Sequence, residues 1–322
     1  MHMMRAECAG PKVGRLVSKS SFSARILYGI YIALTVLEVV FLLFGGMPLY
    51  DSIIHACSSA GTGGFSIYGD SIAHYNSVYI EMVIAVFIIL FGVNFNLYYY
   101  MLIRKFSLAY KNEELRTYLG IIATATLLIG LNVMKLYDNF GEALRHSFFM
   151  TASTITSTGF ATVDTASWPV FSQTLMLLLM FVGACAGSTG GGMKVSRIII
   201  LVKTGFKELK YIVNPRAVTT VKMDGKPVER DVIRGVTSYF ILFMMLFSIS
   251  LLIVSFDKYS IEESLSAVIT CMNNIGFGVG RFGSAGNFGG LSALSKIVLS
   301  FDMLIGRLEI YPLIMLFAVR KR

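Results

Sequence analysis

The sequence predicts an all-α membrane protein built from repeated units of helix, re-entrant pore loop and helix, with three of an expected four units around a pseudo-fourfold pore. Three observations support this fold class. The 322 residues are 55% hydrophobic and only 15% charged, whereas soluble domains usually carry about 25% charged residues. The basic residues cluster between alternate pairs of apolar segments, and a short glycine-phenylalanine motif recurs three times.

Six apolar segments approach the length of about 20 residues that a helix needs to cross a bilayer. The chain before the first segment lacks the short apolar core and small-residue cleavage site of a signal peptide, so the first segment is predicted to be a retained helix. The six segments are 26–47, 78–103, 117–134, 169–186, 236–256 and 293–319.

Basic residues predict the orientation in the membrane. Residues 1–26, 103–116 and 194–234 carry five, four and ten Lys or Arg residues, and three more end the chain, whereas the other connections carry none, two and two. Because Lys and Arg are enriched in cytoplasmic loops, we expect both termini to be cytoplasmic. The net charge of +9 therefore indicates topology and not nucleic-acid binding.

Cysteine and histidine residues are scattered singly along the chain. The four cysteines lack the paired spacing of zinc or redox motifs, and the four histidines do not cluster. We therefore expect no disulfide, no metal held by side chains and no covalently bound cofactor.

The glycine-phenylalanine motif divides the chain into three repeats. Each copy follows a stretch of a dozen or so residues that suits a helix but is too short to span a bilayer. Each such stretch lies between two long apolar segments, which predicts pore units whose loops share the external side. The motifs are SAGTGGFS at 59–66, STITSTGFAT at 153–162 and NNIGFGVG at 273–280, and the short stretches are 49–60, 142–156 and 261–273.

The loops have the residue types of a cation filter. Irregular backbone is tolerated at membrane depth only where it is buried in protein or lines an aqueous cavity. Rings of carbonyl oxygens can replace the hydration shell of potassium, glycine allows the φ values that turn carbonyls toward one axis, and the negative C-terminal ends of the short helices favour cations. The candidate filter residues, with potassium bound only at their carbonyls, are Thr62, Gly63, Gly64, Phe65, Ser157, Thr158, Gly159, Phe160, Asn274, Ile275, Gly276 and Phe277.

For any single loop the alternative is that Gly, Ser and Thr merely let membrane helices pack closely, but three copies at equivalent positions favour a filter.

The phenylalanines at 65, 160 and 277 are 95 and 117 residues apart, so an earlier copy would fall before residue 1. We therefore expect a fourth wall from an upstream segment or from another polypeptide.

A glycine-rich segment interrupts the apolar stretch 169–186. Glycine costs up to about 1 kcal/mol relative to alanine in a helix interior, and five glycines in residues 183–192 predict unwinding there. Below the filter, such a segment can obstruct the pore and swing aside, although a static packing kink stays open. A phosphate-binding P-loop is disfavoured because a methionine precedes the lysine. The candidate gate residues are Gly183, Gly187, Ser188, Thr189, Gly190, Gly191, Gly192 and Lys194.

Arg307 is predicted to lie near mid-membrane, about a dozen residues before the C-terminal basic cluster at a rise of about 1.5 Å per residue. An arginine at that depth costs at least about 2.5 kcal/mol unless it is paired or hydrated. Asp302 and Glu309 are the alternatives as ion-pair partners, but their offsets are poor for contact along a helix. We expect Arg307 to face the pore or a carboxylate.

Together these motifs resemble the Trk/Ktr/HKT superfamily of potassium transporters, and in particular its TrkH-like and KtrB-like pore subunits. The resemblance implies potassium uptake as the pore-forming subunit in the cytoplasmic (inner) membrane, an intramembrane gate at the glycine-rich segment, and Arg307 below the filter. It also implies a homodimer and a TrkA-like or KtrA-like cytoplasmic subunit that binds ATP, ADP or NAD. The motifs on which the resemblance rests are TGGFS at 62–66, GVNFNLYY at 92–99, STGFATVD at 157–164, GACAGSTGGGMKVSR at 183–197, NPRAVTTVKMDGKPV at 214–228, NNIGFG at 273–278 and GRLEIYPLIMLF at 306–317.

The resemblance assigns the pore units to the second, third and fourth of the family's four. The basic linker offers a docking face for a partner and, equally, for anionic lipid. Two other functions stay open: a secondary carrier with discontinuous helices, which would bind an anion at helix N-termini, and a truncated subunit that does not conduct. The predicted divisions are a cytoplasmic N-terminal segment 1–26, pore units 27–110 and 111–204 (the latter with the gate), a cytoplasmic linker 205–231 and a pore unit 232–322.

Overall fold

The computed structural model describes residues 20–216, 220–284 and 286–308. The sequence predictions for residues 1–19, for Glu309 and for the C-terminal basic cluster lie outside this part of the chain. The described helices are α1 Ser20–Phe44, α2 Leu49–Ala60, α3 Val78–Phe91, α4 Phe95–Leu102, α5 Phe106–Tyr110, α6 Glu113–Val133, α7 Phe140–Ile155, α8 Val170–Val182, α9 Val195–Val213, α10 Arg230–Val254, α11 Ile261–Met272 and α12 Ala293–Leu308. The predicted all-α fold class is confirmed.

Three units of long helix, short helix and helix repeat along the part of the chain that the structure describes. They consist of α1 to α3, α6 to α8, and α10 to α12. The short helices α2, α7 and α11 coincide with the stretches predicted to be re-entrant, to within two residues at each end. Each packs against the other helices of its own unit, and most of its side chains are buried. The predicted repeat of long helix, short helix and helix is therefore confirmed.

Within the described residues, three single helical segments are long and apolar enough to cross a bilayer: Ala24–Phe44, Glu113–Leu136 and Arg230–Asp257. Helix α8 is apolar but shorter. Large apolar side chains on the long segments, such as Val36 and Leu252, are exposed at the protein surface. Such a surface is suited to lipid acyl chains, which are as apolar as leucine.

The apolar segment 78–103 is two helices and not the single unbroken helix that its composition predicts. Helices α3 and α4 are bent by 91°. The glycine-rich segment takes the backbone groups at the bend, because Gly92 O accepts from Cys185 N at 3.0 Å and Phe95 N donates to Gly187 O at 3.1 Å. Asn94 then caps α4 by accepting a hydrogen bond from the N–H two residues later. A continuous helix would need these same groups for its own ladder.

The predicted interruption after residue 182 is confirmed. Helix α8 ends at Val182, Gly183 has a φ of +71°, and α9 begins at Val195. After α9, strands β1 (Lys222–Met223) and β2 (Lys226–Pro227) pair antiparallel in a hairpin. Its two turn residues both have positive φ, as a type I′ turn requires. The predicted domain boundaries stay predictions, and α9 runs unbroken across the one at 204–205.

Candidate functional site

The three candidate filter loops share one backbone conformation. In each loop the first and third residues have positive φ and the residue between them does not. This alternation turns successive carbonyl groups toward the same side of the loop. A non-glycine residue at positive φ costs about 1–2 kcal/mol, so surrounding contacts must hold the first residue in place. The pairs are Thr62 (49°) with Gly64 (64°), Ser157 (56°) with Gly159 (91°), and Asn274 (54°) with Gly276 (102°).

The C-terminal end of each short helix holds its loop in this conformation. Three successive N–H groups donate to carbonyls four, three and five residues earlier; after α2 the donors are Gly61, Thr62 and Gly63, at 3.0, 3.0 and 2.8 Å. The same offsets recur after α7 and α11. The last two bonds of each set form a Schellman motif whose left-handed residue is the first filter residue. The negative ends of the three helices therefore lie at the loops.

A hydroxyl group seven residues before each phenylalanine anchors the phenylalanine end of the loop. Ser58 Oγ accepts a hydrogen bond from Phe65 N at 2.6 Å. Ser153 Oγ and Thr270 Oγ1 donate instead to the phenylalanine carbonyls of their own loops, again at 2.6 Å. All three hydroxyl residues are buried. The sequence prediction omitted these anchors, although their constant spacing from the phenylalanine was visible.

The loops stand side by side in chain order. A Cβ added to Gly64 would lie 2.1 Å from the Thr158 carbonyl oxygen, and one added to Gly159 would lie 1.9 Å from that of Ile275. Only glycine permits so close an approach of two backbones. At Gly276 a Cβ would meet nothing within 4 Å among the described residues. The described loops therefore form an arc that is open beyond Gly276.

The phenylalanines of the three loops differ in exposure, and Phe65 borders the same opening. The buried Phe160 ring lies 5.8 Å from the ring of His55, which belongs to the short helix of the preceding unit. Phe277 is also buried, whereas Phe65 is 77% exposed. Within the described residues no unit precedes that of Phe65. The arc is thus open between its first and last loops.

The glycine-rich segment contacts all three loops on the side opposite the phenylalanines. Thr62 Oγ1 donates to the Thr189 carbonyl at 2.9 Å. A Cβ on Gly190 would lie 2.9 Å from the Thr156 carbonyl oxygen, and one on Gly191 would lie 2.6 Å from the corresponding oxygen of the third loop. The segment therefore covers the end of each loop that lies away from its phenylalanine, and side chains at these two glycines would push the segment away.

The segment itself is a tightly folded loop. Gly183, Gly187, Gly192 and Lys194 have φ values between 71° and 78°. The Lys194 ammonium group donates to the carbonyl four residues earlier, and Ser188 Oγ donates to the carbonyl three residues earlier at 2.6 Å. A helix and not a strand precedes the segment, which removes the context that a phosphate-binding P-loop needs. All the candidate gate residues lie in this loop.

Arg307 joins the first filter loop to the glycine-rich segment. Its guanidinium group donates to the Gly61 carbonyl at 3.0 Å and to the Thr189 carbonyl at 3.3 Å. Asp302, one of the alternative partners, instead accepts a hydrogen bond from Ser250 Oγ at 2.9 Å. The guanidinium charge is therefore held by carbonyl oxygens at the end of the loops opposite the phenylalanines.

Comparison with known proteins identifies this arrangement. The family model described as "TrkH: Cation transport protein" matches residues 2–321. The chain belongs to the TrkH family. It is 34% identical over 321 residues to the Trk system potassium uptake protein TrkH of Salmonella typhimurium, covering 98% of this chain and 66% of that protein. It is 35% identical over 320 residues to the Trk system potassium uptake protein TrkG of Escherichia coli, covering 98% and 65%.

A solved TrkH structure has the same fold. The chain matches the crystal structure of the potassium transporter TrkH from Vibrio parahaemolyticus with a TM-score of 0.86 and 33% identity, over 98% of this chain and 69% of that one. The chain thus spans about two thirds of the length of these relatives. The family resemblance predicted from the motifs is confirmed, and the family is one of membrane transporters.

One buried carboxylate of this TrkH-family chain was missed by the sequence prediction. Glu114 is 3% exposed, and its Oε1 accepts from Ala186 N at 2.7 Å and from Ser196 N at 3.1 Å. The carboxylate thereby joins the glycine-rich segment to the first turn of α9. From sequence, an acid in the first turn of α6 is indistinguishable from one that only complements the helix dipole.

The chemistry available in the arc is coordination by oxygen. Among the residues described, no group of three or more His, Cys, Asp and Glu side chains could hold a metal ion. The ligands available at the site are the backbone carbonyls and hydroxyl groups of the loops. Such neutral oxygens suit a monovalent cation that exchanges its water shell for carbonyls.

Proposed function

We propose that the chain forms three walls of a potassium-selective pore through which potassium enters the cell down its electrochemical gradient, with no covalent chemistry. The observation that carries this proposal is the shared backbone of three loops packed side by side, with left-handed residues at the first and third positions of each. Carbonyl oxygens of these loops replace the ion's water shell. The names of the relatives, Trk system potassium uptake proteins, support potassium as the ion.

The glycine-rich segment acts as the gate of this pore, and Arg307 lies on the ion path below the filter. Two observations support these roles. The segment touches the inner end of every loop, so an ion leaving the filter inward meets it first. The Arg307 guanidinium donates to both the filter and the segment, so its positive charge opposes cations there and stabilises the closed arrangement.

The pore subunit works with partners in the cytoplasmic membrane. We assign it a homodimeric state and a cytoplasmic TrkA-like or KtrA-like regulatory subunit, which binds the nucleotide in place of this chain. The word "system" in the relatives' names supports a multi-component transporter. The distribution of Lys and Arg supports cytoplasmic termini and a basic linker that faces a partner or anionic lipid.

A fourth wall, from outside the described residues, closes the ring between Gly276 and Phe65. The open space at Gly276 and the exposure of Phe65 support it. The same opening favours a second candidate function, a subunit that assembles but does not conduct, because water or lipid at an open side would leave the ion's shell only partly replaced.

Ion flux tests the two candidates. The chain is purified, reconstituted into liposomes, and assayed for rubidium and sodium uptake, with thermal unfolding as the check on folding. Selective rubidium uptake by the chain alone would show that three walls suffice. Uptake that appears only after a fourth pore unit is supplied supports the closed ring. A folded chain without flux in either condition is the result for a non-conducting subunit.

A further inference from the structure

We propose that Glu114 and the cytoplasmic hairpin form a clasp that holds the glycine-rich segment closed, so that displacement of the hairpin releases the segment. The clasp consists of Glu113, Glu114, Lys203 and Asp224. Its role in gating rests on the proposed function, whereas the clasp itself can be tested without any ion flux.

The first part of the clasp is the buried Glu114 carboxylate. A single oxygen, Oε1, accepts from both Ala186 N and Ser196 N. Ala186 lies within the glycine-rich segment and Ser196 lies in the first turn of α9, so the carboxylate ties the segment to the helix that follows it. A shift of Glu114 away from the segment would leave two backbone N–H groups without this acceptor.

The second part is the turn of the hairpin, which caps the helix that carries Glu114. Asp224 Oδ1 accepts from Glu113 N at 2.7 Å, and Asp224 Oδ2 accepts from Asn112 Nδ2 at 3.0 Å. An aspartate at this place satisfies a free N–H and complements the positive end of the helix dipole. The hairpin is therefore bonded to the residue directly before Glu114.

The third part ties the hairpin to α9, the helix that leaves the glycine-rich segment. The Lys203 ammonium forms an ion pair with the Glu113 carboxylate and donates to the Lys222 carbonyl of strand β1 at 2.8 Å. One hairpin thus contacts both helices that position the segment. An open cleft of about 1330 Å³, lined among others by Asp224 and Ala186, adjoins the clasp.

The rates at which two native cysteines are alkylated measure whether the clasp is closed. Cys185 lies in the glycine-rich segment next to Ala186 and is fully buried, and Cys271 is buried in α11 at a distance from the clasp in sequence. Their alkylation by N-ethylmaleimide is followed by peptide mass spectrometry in the detergent-solubilised chain. In Asp224→Ala we expect Cys185 to react on the order of tenfold faster, the factor for ~1.4 kcal/mol of lost restraint, with Cys271 unchanged.

Two further variants make the result decisive. Asp231→Ala removes an exposed acid near the hairpin, in the first turn of α10, and should leave Cys185 protected. Asp224→Asn keeps an acceptor for the helix N–H but loses the charge, so Cys185 should be alkylated about threefold faster than in wild type, which is slower than in Asp224→Ala. If both cysteines react faster in Asp224→Ala, the Asp224→Asn variant is the test of the clasp. Unchanged Cys185 reactivity in the Asp224 variants, or equal acceleration in Asp231→Ala, overturns the clasp. Faster Cys185 alkylation without a rise in rubidium flux in the conducting assembly would support the clasp and refute the role of the glycine-rich segment as a gate.

Discussion

Replacing Gly159 with alanine should damage the filter through overlap with the neighbouring loop. Its Cβ would lie 1.9 Å from the Ile275 carbonyl oxygen, whereas carbon and oxygen normally approach no closer than about 3.3 Å, so the two loops must separate by about 1.4 Å. Overpacking of this kind costs about 1–3 kcal/mol, beyond the ~1–2 kcal/mol for alanine at positive φ. A wall displaced that far no longer presents its carbonyls together with those of its neighbour.

The assay for this variant is rubidium and sodium uptake by the conducting assembly in a bacterial strain that lacks its own potassium uptake. We expect the ratio of rubidium to sodium uptake to fall about tenfold or more, which corresponds to ~1.4 kcal/mol of lost discrimination. Gly46→Ala is the matched control, because Gly46 has a similar φ of +82° with nothing within 4 Å of its Cβ position among the described residues. An unchanged ratio in Gly159→Ala, or an equal fall in Gly46→Ala, would refute the reasoning.

Four other outcomes are expected. Gly276→Ala should be as harmful as Gly159→Ala if a fourth loop packs beside it, and a mild effect in a conducting assembly would argue against that wall. Deleting residues 190–192 should raise rubidium flux and reduce its dependence on a regulatory partner, and a folded variant with wild-type flux would make the segment a structural kink. Arg307→Ala should raise rubidium flux several-fold while Arg307→Lys, which keeps the charge, should not; equal flux in both variants would contradict the electrostatic role. Ser153→Ala should lower the free energy of unfolding by about 1–3 kcal/mol, seen as a lower midpoint of thermal unfolding, whereas Ser147→Ala removes only a bond within its own helix and should change little.

The elements of each pore unit could be predicted from sequence because their signals are local. Helix α2 occupies 49–60 as predicted, since a short helix-compatible stretch between long apolar segments has few other ways to satisfy its backbone within a membrane. The interruption at Gly183 follows from glycine content alone. The left-handed first filter residue also belongs to a local motif, the Schellman end of the preceding helix. Repetition of the same pattern in three places identified the loops as equivalent.

Other features were decided by contacts between distant parts of the chain. The 91° bend between α3 and α4 arises because the glycine-rich segment takes the backbone groups at Gly92, and composition carries no sign of that competitor. Arg307 and the Gly61 carbonyl are separated by 246 positions, and Glu114 holds a segment 72 to 82 residues away. Sequence patterns report which residues favour a helix, a loop or the membrane. They do not report which unpaired backbone groups will meet a given side chain, because that depends on how the units pack against one another.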